Sequence, residues 1–263
     1  MRHTDLWGDR DSKYQSLLKE RVARIAWVEL SPSSPSHFFI PVDSANQSEY
    51  EAGLKVTDIF NTYHSGIITK RDSLTIHWTK ADVLTTVSDF IALKPEAARQ
   101  KYQLPDDVRD WKVEWAQDDL RRAGIAKDRA IPSLYRPFDV RFTYFTGRTR
   151  GFVGWPVADM TELMRSGDNV ALVTTRMTKG EDFAHVMASQ WMAEVSCLSS
   201  KTSNNGFVFP LYTSVSPGLG RGNSRESNVR SQFVAQLPGE CEPETAFNYV
   251  FGVLHSVRGT ANS

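Results

Sequence analysis

Tyr135-Arg136-Pro137-Phe138-Asp139-Val140-Arg141-Phe142-Thr143-Tyr144-Phe145 is the run from which the fold is read. Aromatic and β-branched residues dominate it, so Tyr135 to Tyr144 reads as a strand. Two later runs, Asn169 to Thr175 and Gly206 to Tyr212, share this character and are bounded by Pro, Gly or Ser. The second half of the chain is therefore expected to be β-rich. Arginines alternate with rings in the first run, and Thr146-Gly147-Arg148-Thr149-Arg150 follows it at once. Residues 136–150 thus carry four arginines against Asp139 alone, a net of +3.

Upstream of that run the period changes. From Thr79 to Gly124 the pattern is helical, with Val83, Leu84, Val87, Phe90 and Ile91 on one face and Trp111, Trp115 and Leu120 marking a later segment. Residues 81–120 hold nine acids against five bases, a net of −4, so this helical insert is expected to face away from any polyanion and from the basic run. Further upstream, Thr57-Asp58-Ile59-Phe60 reads as a helix stub, followed by the glycine-containing polar loop Ser65-Gly66-Ile67-Ile68-Thr69-Lys70-Arg71-Asp72. Ser12 to Val28 spaces Tyr14, Leu17, Leu18, Val22, Ile25 and Ala26 as an amphipathic helix. Ser31-Pro32-Ser33-Ser34-Pro35 then breaks the chain, and Phe38-Phe39-Ile40, ended by Pro41, suits a brief strand. At the other end, Ser214 to Asn228 reads as a flexible loop. Glu244 to Val257 reads as a closing helix that docks Phe247, Val250, Phe251 and Leu254 on the core.

The whole chain of 263 residues is large enough for a sizeable core, and its 31 Lys plus Arg balance 31 Asp plus Glu. No global field draws it to nucleic acid or anionic membrane, so such binding must use a local patch. Its two cysteines, Cys197 and Cys241, lack ligand-spaced Cys or His neighbours, which argues against a zinc site and a disulfide framework and fits a reducing, cytoplasmic location. Apolar runs such as Val170-Ala171-Leu172-Val173 are far short of the roughly 20 residues a membrane span needs. The N-terminus, charged at Arg2, Asp5, Asp9 and Arg10, lacks the apolar stretch of a signal peptide.

Catalytic signatures are missing. The chain contains no Gly-x-Ser-x-Gly, His-Glu-x-x-His, Gly-Lys-Ser/Thr phosphate loop or Gly-x-Gly-x-x-Gly, and its six histidines are scattered, which suits surface or packing roles. Asp106 with Asp110-Trp111-Lys112 offers the carboxylates and lysine of a metal-dependent nuclease, but a run this tight sits more naturally at a helix start than around one ion. The arginine–aromatic run keeps two readings. Guanidinium groups beside rings are what a nucleic-acid surface uses, whereas Pro137 and Phe138 could simply pack while Arg136 pairs with Asp139.

Four blocks, in order, resemble a known family: Asp5-Leu6-Trp7-Gly8 with Arg10 and Lys13-Tyr14; Gly66-Ile67-Ile68-Thr69-Lys70-Arg71-Asp72; Tyr135-Arg136-Pro137-Phe138-Asp139-x-Arg141; and Tyr249-Val250-Phe251-Gly252-Val253-Leu254-His255-Ser256. The chain is similar to the C-terminal specificity region of type ISP restriction-modification enzymes and related fused N6-adenine DNA methylases. The resemblance implies a bacterial, DNA-binding target recognition domain, part of one long polypeptide with a nuclease, a helicase-like motor and an adenine methyltransferase. The methylase's Asp/Asn-Pro-Pro-aromatic signature is absent, since the sequence has no Pro-Pro pair. Catalytic residues, metal and cofactor are therefore not expected in this chain, and S-adenosylmethionine is implied for the methylase segment. The family's usual continuation beyond His255 is missing, which suggests an excised domain, a split subunit or a gene remnant.

The resulting expectation is an α+β fold with a β-rich DNA-recognition core, a helical insert at about 80–124 and a C-terminal helix. Residues 1–30 would form a linker helix from the methylase and 31–263 the recognition domain. Its partners would be double-stranded DNA and the methylase and helicase-like segments, with no membrane. The candidate DNA contacts are Lys70, Arg71, Arg141, Arg148, Arg150, Arg176, Lys179, Lys201, Asn204 and Asn205. The rival readings are a non-DNA-binding interaction module or folded remnant and, less favoured, a metal-dependent nuclease.

Overall fold

The computed structural model describes residues 1–34, 37–41, 52–201, 204–216 and 224–256, and divides into units at Met1–Leu54 and Lys55–Ser263. In the first unit, β1 (Arg2–His3) pairs antiparallel with β2 (Val28–Glu29). Between them lies α1 (Arg10–Lys19), whose first turn is capped by Asp9 accepting from the Ser12 N–H at 2.7 Å. No residue of α1 is buried.

The second unit is built on an antiparallel four-stranded sheet in the order β3 (His64–Ser65), β8 (Gly206–Pro210), β6 (Ala171–Thr175), β7 (Val186–Ser189). Side-chain alternation feeds two separate cores, as the period of a strand demands. Leu172 and Phe209 point to one side and join Phe60, Val229, Phe233, Ala246, Phe247 and Val250. Ala171, Val173 and Val208 point to the other and join Ile67, Leu134, Met160, Met164 and Cys197. On the first side the cover is α9 (Pro243–His255), together with α2 (Val56–Ile59) and α8 (Ser231–Val234); on the second it is α7 (Ala158–Met164).

A third core belongs to the insert. Here α4 (Lys80–Ala92), α5 (Pro95–Lys101) and α6 (Val113–Ala123), with the short α3 (Asp72–Thr75) ahead of them and Trp111 just before α6, bury Leu74, Val83, Val87, Phe90, Ala98, Trp111 and Leu120 against Tyr144 and Phe152. Thr79 caps α4, accepting from the Asp82 N–H, and Gly124 ends α6 at φ +71°. The mixed helical and antiparallel architecture is the expected α+β class. Among the described residues no helix is long and apolar enough to cross a membrane.

Several local expectations are corrected. The helix expected over Ser12–Val28 is α1 alone. Val22–Arg24 is a 3-10 turn and Val28 is already strand, while Leu17, Leu18 and Val22 stay exposed. Phe38–Ile40 is not a strand. The single strand read over Tyr135–Tyr144 is a hairpin, β4 (Ala130–Arg136) and β5 (Asp139–Tyr144), because Pro137 removes a ladder donor and fixes φ for a turn. The run from Gly206 breaks at Leu211 into β8 and β9 (Tyr212–Ser216). The loop expected over 214–228 instead begins and ends in strand, since β9 pairs with β10 (Ser224–Ser227); residues 217–223 lie outside the described residues. The closing helix runs from Pro243 to His255, close to its expected span.

Candidate nucleic-acid interface

The site starts from the β4–β5 hairpin, where Arg136 pairs with Asp139 across a two-residue turn. Pro137 at the first turn position and Phe138 at φ +62° in the second form the pattern of a type II turn, which normally calls for glycine or asparagine there. Around it lies a chain of contacts between rings and guanidinium groups. Arg141 Cζ sits 3.8 Å from the Trp78 ring centroid and 4.6 Å from that of Tyr135, and Arg136 Cζ sits 3.9 Å from Tyr135. Asp139 accepts from Arg141 Nε at 2.9 Å and lies 2.9 Å from Nη2, so one side of that guanidinium is spent and its Nη1 end stays available.

Two carboxylates anchor the hairpin from below. Tyr135 donates to Asp72 Oδ2 at 2.8 Å, and Asp72 also accepts from the Thr69 hydroxyl. Arg136 donates to Glu194 Oε2 at 2.9 Å, and Glu194 accepts a second bond from the Ser196 N–H at 2.8 Å. The Glu194 side chain is only 5% exposed; burial raises its pKa, Asp72 adds to that, and Arg136 and the Ser196 N–H oppose it. Residues 192–195 run between the two partners as a shared extended segment. Leu134 N–H donates to Met192 O on one side and Ile67 N–H to Ala193 O on the other. A Cβ at Gly66 would lie 2.7 Å from Ala193 O, so only glycine permits this approach.

The loop carrying Arg148 and Arg150 is pinned to the insert. Asp119, buried on α6, accepts from the Thr146 hydroxyl at 2.7 Å and from the Phe152 N–H at 2.8 Å. A Cβ at Gly151 would fall 2.0 Å from its Oδ2. Arg148 then reaches Asp118 at 3.3 Å, shared with Arg122 at 3.1 Å; Arg150 reaches Asp110 at 3.6 Å, shared with Arg109 at 3.2 Å and influenced by the charge of Lys70. The acidic insert therefore does not face away from the basic run. Opposite charges separated in sequence are drawn together in space, yet each of these carboxylates serves more than one cation, so positive charge remains in excess.

The other candidates divide by exposure. Lys70 is exposed at φ +69°. Arg71 turns inward, donating to Asp106 O at 2.9 Å with its Cζ 4.9 Å from the Trp111 ring centroid, so its role is to hold the loop to the insert. Arg176, over the Phe207 ring at 5.7 Å, and Lys179 and Asn205 are exposed. Lys201 is exposed and bonds Gly180 O. Asn204 is fully buried, accepting from the Lys179 N–H at 2.7 Å and donating to Glu181; without surface it cannot touch DNA in this conformation and leaves the candidate set as a loop-fixing residue. Thr202 and Ser203 of that loop lie outside the described residues.

Metal chemistry finds no support in the geometry. Asp110 is paired with Arg109 and Arg150, and its neighbour Asp107 is spent on Arg99 at 2.9 Å and on the Val113 N–H that opens α6 at 3.2 Å. Among the described residues no group of three or more His, Cys, Asp or Glu is placed to hold an ion. Burial pushes the Cys197 thiol up to about 12, so it supplies no thiolate at neutral pH.

Residues 58–258 match the model of the Type ISP C-terminal specificity domain. The chain belongs to that family. Solved structures with a similar fold include the DrdV–DNA complex (TM-score 0.61, 19% identity, 96% of this chain and 26% of that one). A nuclease-deletion mutant of the Type ISP enzyme LlaGI with a DNA substrate mimic gives 0.59 at 19% identity, covering 96% of this chain and 24% of that one. The ATP-dependent Type ISP enzyme LlaBIII bound to DNA gives 0.61 at 17%, covering 90% and 16%. The chain thus spans about a quarter or less of the length of those proteins. No curated protein matches it.

Within the specificity domain, two of the blocks that carried the resemblance meet: Asp72 of the glycine loop receives Tyr135 and faces Arg136 of the hairpin at 3.8 Å. The block at Tyr249–Ser256 sits instead in α9, with Val250 in the sheet core. Sequence reasoning missed Trp78, Asp119 and Glu194. A single acid within the apolar run Trp191–Leu198 was the signal available for Glu194; no signal marked Trp78, which stands alone between polar neighbours.

Proposed function

We propose that this specificity domain reads a DNA sequence for an adenine methylase located on another segment or chain, and performs no chemistry itself. Membership of the family carries the reading, and the preorganised hairpin supports it. Arg141 is held by two rings and Asp139 with one end free, the condition under which a guanidinium can read a guanine edge without first losing rotamer freedom. Arg148, Arg150 and Lys70, in excess over their carboxylates, are suited to phosphates and set the register, while Arg176, Lys179, Lys201 and Asn205 offer a second polar surface. S-adenosylmethionine would be bound by the methylase segment, and the complex would act in the bacterial cytoplasm as one part of a restriction-modification enzyme.

Equilibrium binding to a pool of randomised duplexes tests this. Enrichment of one sequence is expected, with Arg141→Ala costing about 1–3 kcal/mol on that sequence and little on bulk duplex. Lys70→Ala is expected to weaken all sequences alike and to lower the salt slope by roughly one unit. Absence of duplex binding by the wild-type chain, alone and joined to a methylase segment, would refute the reading.

A further inference from the structure

Among the described residues Phe138 is the most exposed large apolar side chain. It is 93% exposed at the tip of the β4–β5 hairpin, and among the described residues no ring or cation packs on it. Its backbone is held at φ +62°, a region that a residue with a Cβ enters at a cost and that bulky residues rarely occupy. Glycine or asparagine would serve the turn better, so the fold itself gains nothing from phenylalanine here. The strain is maintained from beneath by Arg136 on Glu194 and Tyr135 on Asp72, which make the hairpin base rigid. Backbone strain paired with an exposed ring on a braced support is the pattern of a residue kept for contact with a ligand.

The neighbours identify that ligand. Trp78, 66% exposed, stacks on the guanidinium of Arg141, three positions along the chain from Phe138. That guanidinium keeps its Nη1 end open beside Asp139, whereas Arg136 is spent on Glu194 and Asp72, so the hairpin presents a projecting ring, a second exposed ring and one open cationic end. A protein core would require apolar neighbours for Phe138; a polyanion with stacked bases would require cations for its backbone and a flat apolar group for its stack. We infer that Phe138 is a wedge that enters duplex DNA between adjacent base pairs and unstacks them. Arg141 holds the flanking strand through its open Nη1 end, and the brace of Arg136 and Tyr135 below the hairpin prevents the tip from folding back. This inference rests on the recognition reading above.

The test uses the full chain, Phe138→Gly and Phe138→Trp, with the duplex enriched from the randomised pool. Copies of that duplex carry 2-aminopurine or a single mismatch at successive steps. Wild type is expected to raise 2-aminopurine fluorescence at one step and to bind the copy mismatched there at least several-fold more tightly than the intact duplex, since the unstacking has already been done. Phe138→Gly is expected to melt at or above the wild-type temperature, to bind the intact duplex about tenfold or more weakly, and to show neither the fluorescence rise nor the mismatch preference. Phe138→Trp is expected to retain both. If Phe138→Gly binds and unstacks as wild type does, the wedge is refuted while sequence recognition stands. If wild type enriches no duplex, both readings fall. If Phe138→Gly leaves DNA binding intact but weakens association with a methylase segment, the tip is a protein contact and the wedge is again refuted.

Discussion

A single carboxylate can decide where a loop sits. Asp119 is buried and accepts from the Thr146 hydroxyl and the Phe152 N–H, so Asp119→Ala leaves a buried backbone donor without a partner. A loss of about 2 kcal/mol is expected, read from urea denaturation, together with faster amide exchange over residues 146–152. Glu181 is a different case. The Ser199 hydroxyl, then the Asn204 amide, then His185 hold its pKa down to about 2, from an ordinary value of 4.5. Because the folded-state value is depressed, the carboxylate contributes stability that is complete above the unfolded value and is lost as pH falls from about 4.5 toward 2. Glu181→Gln is therefore expected to lower the urea midpoint at pH 7 and to flatten its decline across that acid window. An unchanged pH profile in the variant would show that Glu181 is not the responsible group.

At the scale of elements, the closing helix covers one face of the sheet with Ala246, Phe247 and Val250. Phe247 is buried in the core formed with Leu172 and Phe209, and its ring meets Phe60 edge-on at 6.3 Å. Phe247→Ala is expected to cost about 3–5 kcal/mol, a large fraction of the net stability of a typical domain, measured by denaturant midpoint at unchanged m-value. The apolar spacing of α9 was legible in the sequence because it repeats every three or four residues along one continuous element. The hairpin was less legible: its two strands and their turn are all rich in aromatic residues, and only Pro137 marked the reversal. The N-terminal helix was overextended because Val22, Ile25 and Ala26 continue an apolar spacing that the backbone does not follow after Glu20, where φ −88° and ψ 133° end the helix.

For the molecule as a whole, charge is balanced in sum and segregated in sequence, and folding brings the opposite segments together. Asp110 and Asp118 thereby restrain the field of the basic loop. Neutralising Asp110 as Asp110→Asn frees Lys70, Arg109 and Arg150 from it, and is expected to raise affinity for bulk duplex about three- to tenfold at low salt, with a salt slope steeper by roughly one unit. The preference for the enriched sequence over bulk duplex should fall correspondingly, since backbone contacts add equally to every sequence. Titrations at several salt concentrations would decide it, and an unchanged slope would mean that Asp110 does not compete with phosphate.

Local periodicity and turn chemistry, read without coordinates, determined the α+β class, the helical insert, the closing helix and the concentration of arginine among rings. Each of these is a property of neighbouring residues, so it survives without knowledge of what they pack against. Partnership was decided by the tertiary structure alone. Asp72 meets Tyr135, Glu194 takes Arg136, Asp118 takes Arg148, and Asn204, which reads as a loop-surface residue, is sealed inside by Lys179 and Glu181. These pairs lie far apart along the chain. The close approach of residues 66–72, 134–136 and 192–195, allowed at Gly66 by the lack of a Cβ, joins the first two, and the bonds of Asp119 to the 146–152 loop bring the third together. Composition shows which charges and rings the chain possesses; only packing sets which of them are spent on one another and which, like Phe138 and Lys70, are left facing outward.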